Sequence, residues 1–133
     1  MRRLLTGSFV TLLLLLNTLV LIGPLMVFAL LKLVLTGRYR DYASRAVMWF
    51  AETWAEIDKI IFALCIPTRW DVRGNANLRL DTSYLCVSNH QTWVDIPALI
   101  QVLNRKIPFF KFFLKKELIW VPLLGLAWWA LDF

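Results

Sequence analysis

The stretch LLTGSFVTLLLLLNTLVLIGPLMVFALL, residues 4–31, contains no charged side chain. An α-helix rises about 1.5 Å per residue, so a helix of this length exceeds the roughly 30 Å hydrocarbon core of a bilayer. The whole chain is 59% hydrophobic and contains seven tryptophans, a residue that is enriched at the membrane surface. Because soluble proteins are only about 45–50% apolar, we expect residues 1–36 to form a membrane anchor.

Gly23 and Pro24 interrupt this apolar run. Proline removes a helical hydrogen bond and glycine permits a bend, so the anchor is predicted to be either one kinked span or a helical hairpin. Basic residues flank the run on both sides, which slightly favours a hairpin with both ends in the cytoplasm. A secretory signal would also start with basic residues, but this run is too long and no convincing cleavage site follows it.

Residues 37–66 are predicted to form a short basic linker and then an amphipathic helix from about Tyr42 to Leu64. Pro67 is expected to end this helix. The apolar residues with helical spacing are Val47, Phe50, Ala51, Trp54, Ile57, Ile61 and Leu64. A stripe of this kind usually packs against the rest of the domain, and the alternative is a helix that lies on the membrane surface.

Residues 67–133 alternate between short apolar runs and helical patterns. Strands are predicted at 69–74, 84–87 and 107–113, and helices at 94–103 and 117–131, the last one interrupted at Pro122 and Gly125. Alternation of this kind is typical of an α/β fold. We therefore predict a membrane helix or helical hairpin followed by an α/β domain.

The formal net charge of +6 is compatible with nucleic acid, anionic lipid headgroups or an acidic substrate. The high hydrophobicity favours the lipid interpretations. The chain has no Cys and His spacing typical of zinc sites and no Arg-rich recognition helix, so neither a metal site nor nucleic acid binding is predicted.

The only histidine, His90, directly follows the predicted strand 84–87, within SNHQTWVDIP at residues 88–97. Imidazole titrates near neutral pH, so it can take a proton from an alcohol and return it to a leaving group. A carboxylate that holds one ring nitrogen leaves the other free to act as a base, and Asp95 is the candidate. A hydrogen-bonded structural role for His90 is the alternative.

Five residues along an ideal helix turn through about 500°, which leaves the side chains of His90 and Asp95 on different faces of a regular helix. The pair can meet only if His90 lies in the turn before the helix and Asp95 lies in its opening turns. That geometry would also direct the amides of the helix N-terminus toward the site.

The pattern Asn89-His90-x-x-x-x-Asp95 resembles the N-H-x-x-x-x-D motif of the 1-acyl-sn-glycerol-3-phosphate acyltransferase family. The surrounding sequence is similar as well, from Val72-x-Gly74 upstream to FLKKEL at residues 113–118 downstream. The resemblance implies the first half of that family's α/β domain, with His90 and Asp95 as the catalytic pair. It also marks Asn89 and Lys115 as candidate substrate-binding residues, the latter as the lysine of a K-x-E-L element.

This resemblance implies transfer of a fatty acyl group from an acyl thioester to the hydroxyl of lysophosphatidic acid or a close lysophospholipid. The donor would be acyl-CoA or acyl carrier protein, with no metal and no other cofactor. The expected location is the bacterial inner membrane, with the catalytic part facing the cytoplasm. The family's later F-P-E-G-T-like segment does not occur before Phe133, so a truncated and inactive chain is expected. A non-catalytic, membrane-anchored interaction protein is the alternative function.

Overall fold

A computed structural model describes residues 2–74, 77–89, 91–92, 94–113, 116–120 and 124–132. Four α-helices are present in these ranges: α1 (Arg2–Val34), α2 (Gly37–Cys65), α3 (Asp95–Leu103) and α4 (Leu124–Ala130). A 3₁₀ helix spans Lys116–Trp120. The first two helices contain most of the helical residues; α3 packs on α2, α4 packs on α1, and the 3₁₀ helix packs on α4.

Helix α1 continues through Gly23 and Pro24 without a break, so no hairpin turn occurs at these two residues. Its segment Leu4–Val34 is long and apolar enough to cross a membrane, judged by length and composition alone. One face is exposed along its whole length and is almost entirely aliphatic or aromatic, with Leu5, Phe9, Leu12, Leu16 and Leu19 among its members. Burial of this face in lipid is favourable because no charged group has to leave water.

Helix α2 folds back along α1, and Leu35 and Thr36 join the two helices. Gly37 has a φ of +56°, a conformation that side-chain-bearing residues rarely adopt. The helix predicted from Tyr42 is confirmed, but it begins at Gly37, so the predicted basic linker is its first turn. The buried residues of α2 are mostly small, Ala43, Val47, Ala51 and Ala55, which lets the two helices approach closely.

Helices α1 and α2 together form an antiparallel pair, the α1–α2 hairpin. Polar side chains join the two helices near its middle. The amide Nδ2 of Asn17 donates to the Asp58 carboxylate at 2.8 Å and to the backbone carbonyl of Trp54 at 3.1 Å. The indole of Trp54 donates to the Thr18 hydroxyl at 3.0 Å. Because buried polar groups are costly without partners, these bonds fix how the two helices are aligned.

Nearer the turn between α1 and α2, helix α4 packs on a core made by Leu25, Ala29, Val47 and Ala51. Lys32 is only 3% exposed. Its ammonium donates to the Ala130 carbonyl at 2.8 Å and pairs with the Asp132 carboxylate at 2.6 Å. This ion pair therefore ties the end of α1 to the end of α4.

Helix α3 packs on the second half of α2 through a separate cluster that contains Ala55, Ile100, Ile107 and Phe110. The turn after α3 is fastened by Asn104, whose Nδ2 donates to the Glu52 carbonyl at 3.1 Å. This cluster fixes the position of α3, and hence of Asp95, relative to α2.

The predicted α/β fold is wrong for the described residues, which form helices and no strand. Segments 69–74, 84–87 and 107–113 contain no strand among their described residues. Leu85 and Val87 are 79% and 85% exposed. A strand exists only when its backbone pairs with another strand, and in the described part of the chain residues 84–87 have no such partner. The short apolar run at residues 84–87 predicted a buried strand, but local sequence does not specify the partner that a strand needs.

Candidate active site

Asp95 is the first residue of α3, as the spacing argument required for the carboxylate. Its Oδ2 atom accepts hydrogen bonds from the backbone N–H groups of Gln91 at 2.6 Å and Thr92 at 2.8 Å. The Thr92 hydroxyl donates to Oδ1 at 3.3 Å. The backbone N–H of Asp95 in turn donates to the Thr92 carbonyl at 3.2 Å. The carboxylate thus closes the loop that leads into α3.

This loop has a physical reason to fold as it does. The backbone N–H groups of Gln91 and Thr92 lie outside any helix, and the carboxylate satisfies both with charge-assisted bonds. A negative charge in the first turn is also favourable next to the positive end of the helix dipole. Asp95 is therefore held by its own loop.

His90 and Lys115 lie outside the described residues. The distance between His90 and Asp95 is therefore untested, and their pairing stays a prediction. Residues 91 and 92, between the two, are not helical, which is compatible with a histidine in the turn before the helix. Asn89 is exposed in the extended segment that precedes the loop.

Sequence reasoning missed Thr92. Its hydroxyl and both of its backbone polar groups bond to Asp95. A threonine that precedes an acidic residue at a helix start is the available signal, since short hydroxyl side chains commonly bond to nearby backbone and capping groups.

A cavity of about 330 Å³ lies between α1, α2 and α3 and was not predicted. Ile96 and Pro97, the two residues after Asp95, line it together with Leu14 and Leu15 of α1. Such a cavity has no sequence signal because residues far apart along the chain form its walls. It places apolar space beside the first turn of α3.

Asp58 also lines this cavity. Burial raises the pKa of the Asp58 carboxyl, and the hydrogen bond from Asn17 opposes this effect only in part. Burial of the carboxylate disfavours its charged form because the surroundings solvate charge poorly. A charged group such as a phosphate is unfavourable inside the cavity for the same reason.

In the basic and aromatic segment from residue 105 to 113, some side chains are buried in the core and others are exposed at the surface. Phe110 is buried and stacks on Phe112 with a ring centroid distance of 5.6 Å. Phe113 is 99% exposed. The Lys111 ammonium donates to the backbone carbonyl of Asp132 at 2.8 Å. Part of the segment thus belongs to the core rather than to a phosphate-binding surface.

A family model described as Acyltransferase matches residues 69–133. No curated protein and no solved structure matches the chain. The matched residues contain the complete motif from Asn89 to Asp95 and all of α3. The sequence from residue 69 to 133 thus matches the acyltransferase family, the family of the lysophosphatidic acid acyltransferases.

Proposed function

We propose that this protein transfers a fatty acyl group from an acyl thioester to the free hydroxyl of lysophosphatidic acid or a close lysophospholipid. The family match over the motif carries this proposal. Two features of the structure support it: the apolar face of α1, which suits a lipid substrate, and the fixed carboxylate of Asp95 at the start of α3.

In the proposed reaction, one imidazole nitrogen of His90 takes the proton of the acceptor hydroxyl. The hydroxyl oxygen attacks the thioester carbonyl carbon, and the carbon–sulfur bond breaks. The leaving thiolate then takes the proton from the imidazolium, so charge and atoms balance without a covalent acyl-enzyme. Asp95 would bind the other ring nitrogen and stabilise the positive charge that forms in the transition state.

Acyl-CoA or acyl carrier protein would supply the acyl group, with no metal or other cofactor in the reaction. Asn89 and Lys115 remain candidates for contact with the acceptor. We further propose that α1 anchors the protein in the membrane and that the catalytic part faces the cytoplasm, where acyl thioesters are made.

Because residues 1–133 by themselves are expected to be inactive, the test is an assay in lipid nanodiscs of the protein extended beyond Phe133 through an F-P-E-G-T-like segment, with lysophosphatidic acid and a radiolabelled acyl thioester. We expect His90→Ala to lower kcat about 10²- to 10⁴-fold, the usual contribution of a general base. Asp95→Asn should also lower kcat, whereas the matched change Asp81→Asn should not, because Asp81 is exposed and pairs with Arg79. Full activity of His90→Ala would contradict the proposed chemistry.

Because His90 is the only histidine, its imidazole gives a single set of ring signals in NMR spectra of the labelled protein. The ¹⁵N shifts report which ring nitrogen carries the proton. If Asp95 holds one nitrogen, Asp95→Asn should change the tautomer and Asp81→Asn should not. An unchanged tautomer in Asp95→Asn would show that the two side chains do not interact, even in a protein without turnover.

A further inference from the structure

The cavity of about 330 Å³ joins the helix that faces lipid to the helix that begins with Asp95. Its walls are mainly aliphatic, with Leu14 and Leu15 on one side and Ile96, Pro97 and Ile100 on the other. Ile96 and Pro97 lie in the first turn of α3, directly after the proposed catalytic carboxylate. A ligand in this cavity would therefore lie next to the proposed site of reaction.

The cavity opens beside the exposed face of α1. Leu15 lines it and is still 55% exposed, and Thr11, one turn earlier, is also an exposed lining residue. Leu12 and Leu16 continue the same exposed surface, at 53% and 48% exposure. An alkyl chain could pass from lipid into the cavity along this surface without crossing water, so no apolar group would have to be hydrated on the way.

The size and charge of the cavity restrict what it can hold. A volume of about 330 Å³ has room for on the order of ten methylene groups, if each occupies about the 30 Å³ of a water molecule. That space suits part of one alkyl chain. The mainly apolar walls solvate charge poorly, so the phosphate of a lipid would stay outside.

We propose that this cavity binds the alkyl chain of the acceptor lipid. The inference rests on the proposed function and specifies how its lipid substrate is held. The acceptor is a single-chain lipid that arrives from the bilayer, and the cavity opens on the lipid-facing side of α1. With its chain between α1 and α3, the headgroup and free hydroxyl of the acceptor lie outside the cavity, toward the loop closed by Asp95.

The first experiment maps the chain directly. The full chain in phosphatidylcholine nanodiscs is irradiated with lysophosphatidic acid that carries a diazirine at the end of its alkyl chain. Mass spectrometry should find the label on the cavity residues Leu14, Ile96 and Ile100, which are less exposed than the lipid-facing leucines of α1. Equal labelling of Phe9, Leu12 and Leu16, on the exposed face of α1, would show general lipid contact and overturn the proposal.

The second experiment changes the volume of the cavity. Leu14→Trp fills it, and Leu12→Trp is the matched control because Leu12 lies on the same helix but is not among the lining residues. In binding assays with lysophosphatidic acids of 6 to 18 carbons, affinity should rise about fourfold per buried methylene. We expect this rise to stop several carbons earlier in Leu14→Trp than in Leu12→Trp. Circular dichroism checks that both variants keep their helices.

Identical chain-length series in the two tryptophan variants would also overturn the inference. These readouts measure binding and labelling rather than turnover. If His90→Ala stays active while the label maps to the cavity, the proposed chemistry fails and the lipid site stands. If His90→Ala is inactive while the label spreads along α1, the proposed chemistry stands and the proposed lipid site fails.

Discussion

The α1–α2 hairpin differs in its use of apolar residues from the extended segment, residues 66–74 and 77–89, which contains no helix. In the hairpin, Ala29 and Val47 are completely buried. In the extended segment, Leu85 and Val87 point into solvent over most of their surface. A helix satisfies its backbone hydrogen bonds within itself, whereas an extended chain needs a neighbouring strand. The hairpin can thus fold from local sequence and one helix contact, and the extended segment cannot.

The largest expected effect comes from a charge placed in the hairpin core. Val47→Asp puts a carboxylate at a completely buried position between α1 and α2. Burial of an unpaired charge should destabilise the fold by about 3 to 5 kcal/mol. Thermal unfolding in mild detergent, followed by circular dichroism, measures the loss.

Val72→Asp is the matched control, because Val72 is 40% exposed in the extended segment. Exposed positions usually change stability by no more than about 0.5 kcal/mol. A similar loss of stability in both variants would mean that the extended segment is packed as tightly as the hairpin, which would remove the contrast between the two regions.

The next effect concerns the polar contacts inside the hairpin. Asn17→Ala removes both amide bonds to α2 and leaves the Asp58 carboxyl without that donor. We expect a destabilisation of about 1 to 3 kcal/mol, the cost of an unsatisfied buried polar group. Thr11→Ala on the same helix is the control, since its hydroxyl bonds only to the Gly7 carbonyl one turn before. Equal melting temperatures of Asn17→Ala and Thr11→Ala would contradict this role.

A smaller and local effect is expected in the loop before α3. Asp95→Ala removes the acceptor of the Gln91 and Thr92 amides. Hydrogen bonds to a charged group contribute about 1.5 to 3 kcal/mol, so exchange of these two amide protons should accelerate by at least tenfold. Asp95→Asn keeps a carbonyl oxygen in place and should accelerate exchange less. If the two variants exchange at equal rates, the charge of the carboxylate has no part in closing the loop.

The smallest effects concern two carboxyl groups on α2, Asp58 and Glu56, whose contributions to stability should change with pH in opposite directions. Burial raises the pKa of Asp58 above its ordinary value of 3.8. Its contribution to stability is therefore greatest at acid pH and decreases as the pH rises through the pKa of the folded state. Asp58→Asn should weaken this decrease in melting temperature between pH 4 and 7.

Glu56 should behave in the opposite way. Its hydrogen bond with Lys59, at 3.0 Å, lowers its pKa below the ordinary 4.5. The stabilisation is present above that ordinary value and is lost as the pH falls through the folded-state pKa. A pair of this kind contributes a few tenths of a kcal/mol, about 0.2 to 0.5. The same direction of change in Glu56→Gln and Asp58→Asn would contradict the two assignments.

Several features of this protein follow from its sequence alone. The uncharged run 4–31 predicts α1 because a helix of apolar residues needs no distant partner to satisfy its backbone. The apolar stripe predicts α2 for the same reason. Its residues Val47 and Ala51 are buried as expected, whereas Ile57 and Leu64 of the same stripe are exposed. The spacing from His90 to Asp95 requires the carboxylate in the opening turns of a helix, and α3 begins at Asp95.

Tertiary structure alone decided the rest. Lys32 follows the apolar run like a surface residue, but it is buried because α4 brings a carbonyl group and Asp132 to its ammonium. The pattern at residues 84–87 resembles a buried strand, yet strand pairing depends on a partner that local sequence does not specify. The cavity beside Ile96 likewise exists only where α1, α2 and α3 meet. Local hydrogen bonding is encoded within a few residues, whereas burial, pairing and cavities depend on contacts between residues that are distant in the chain.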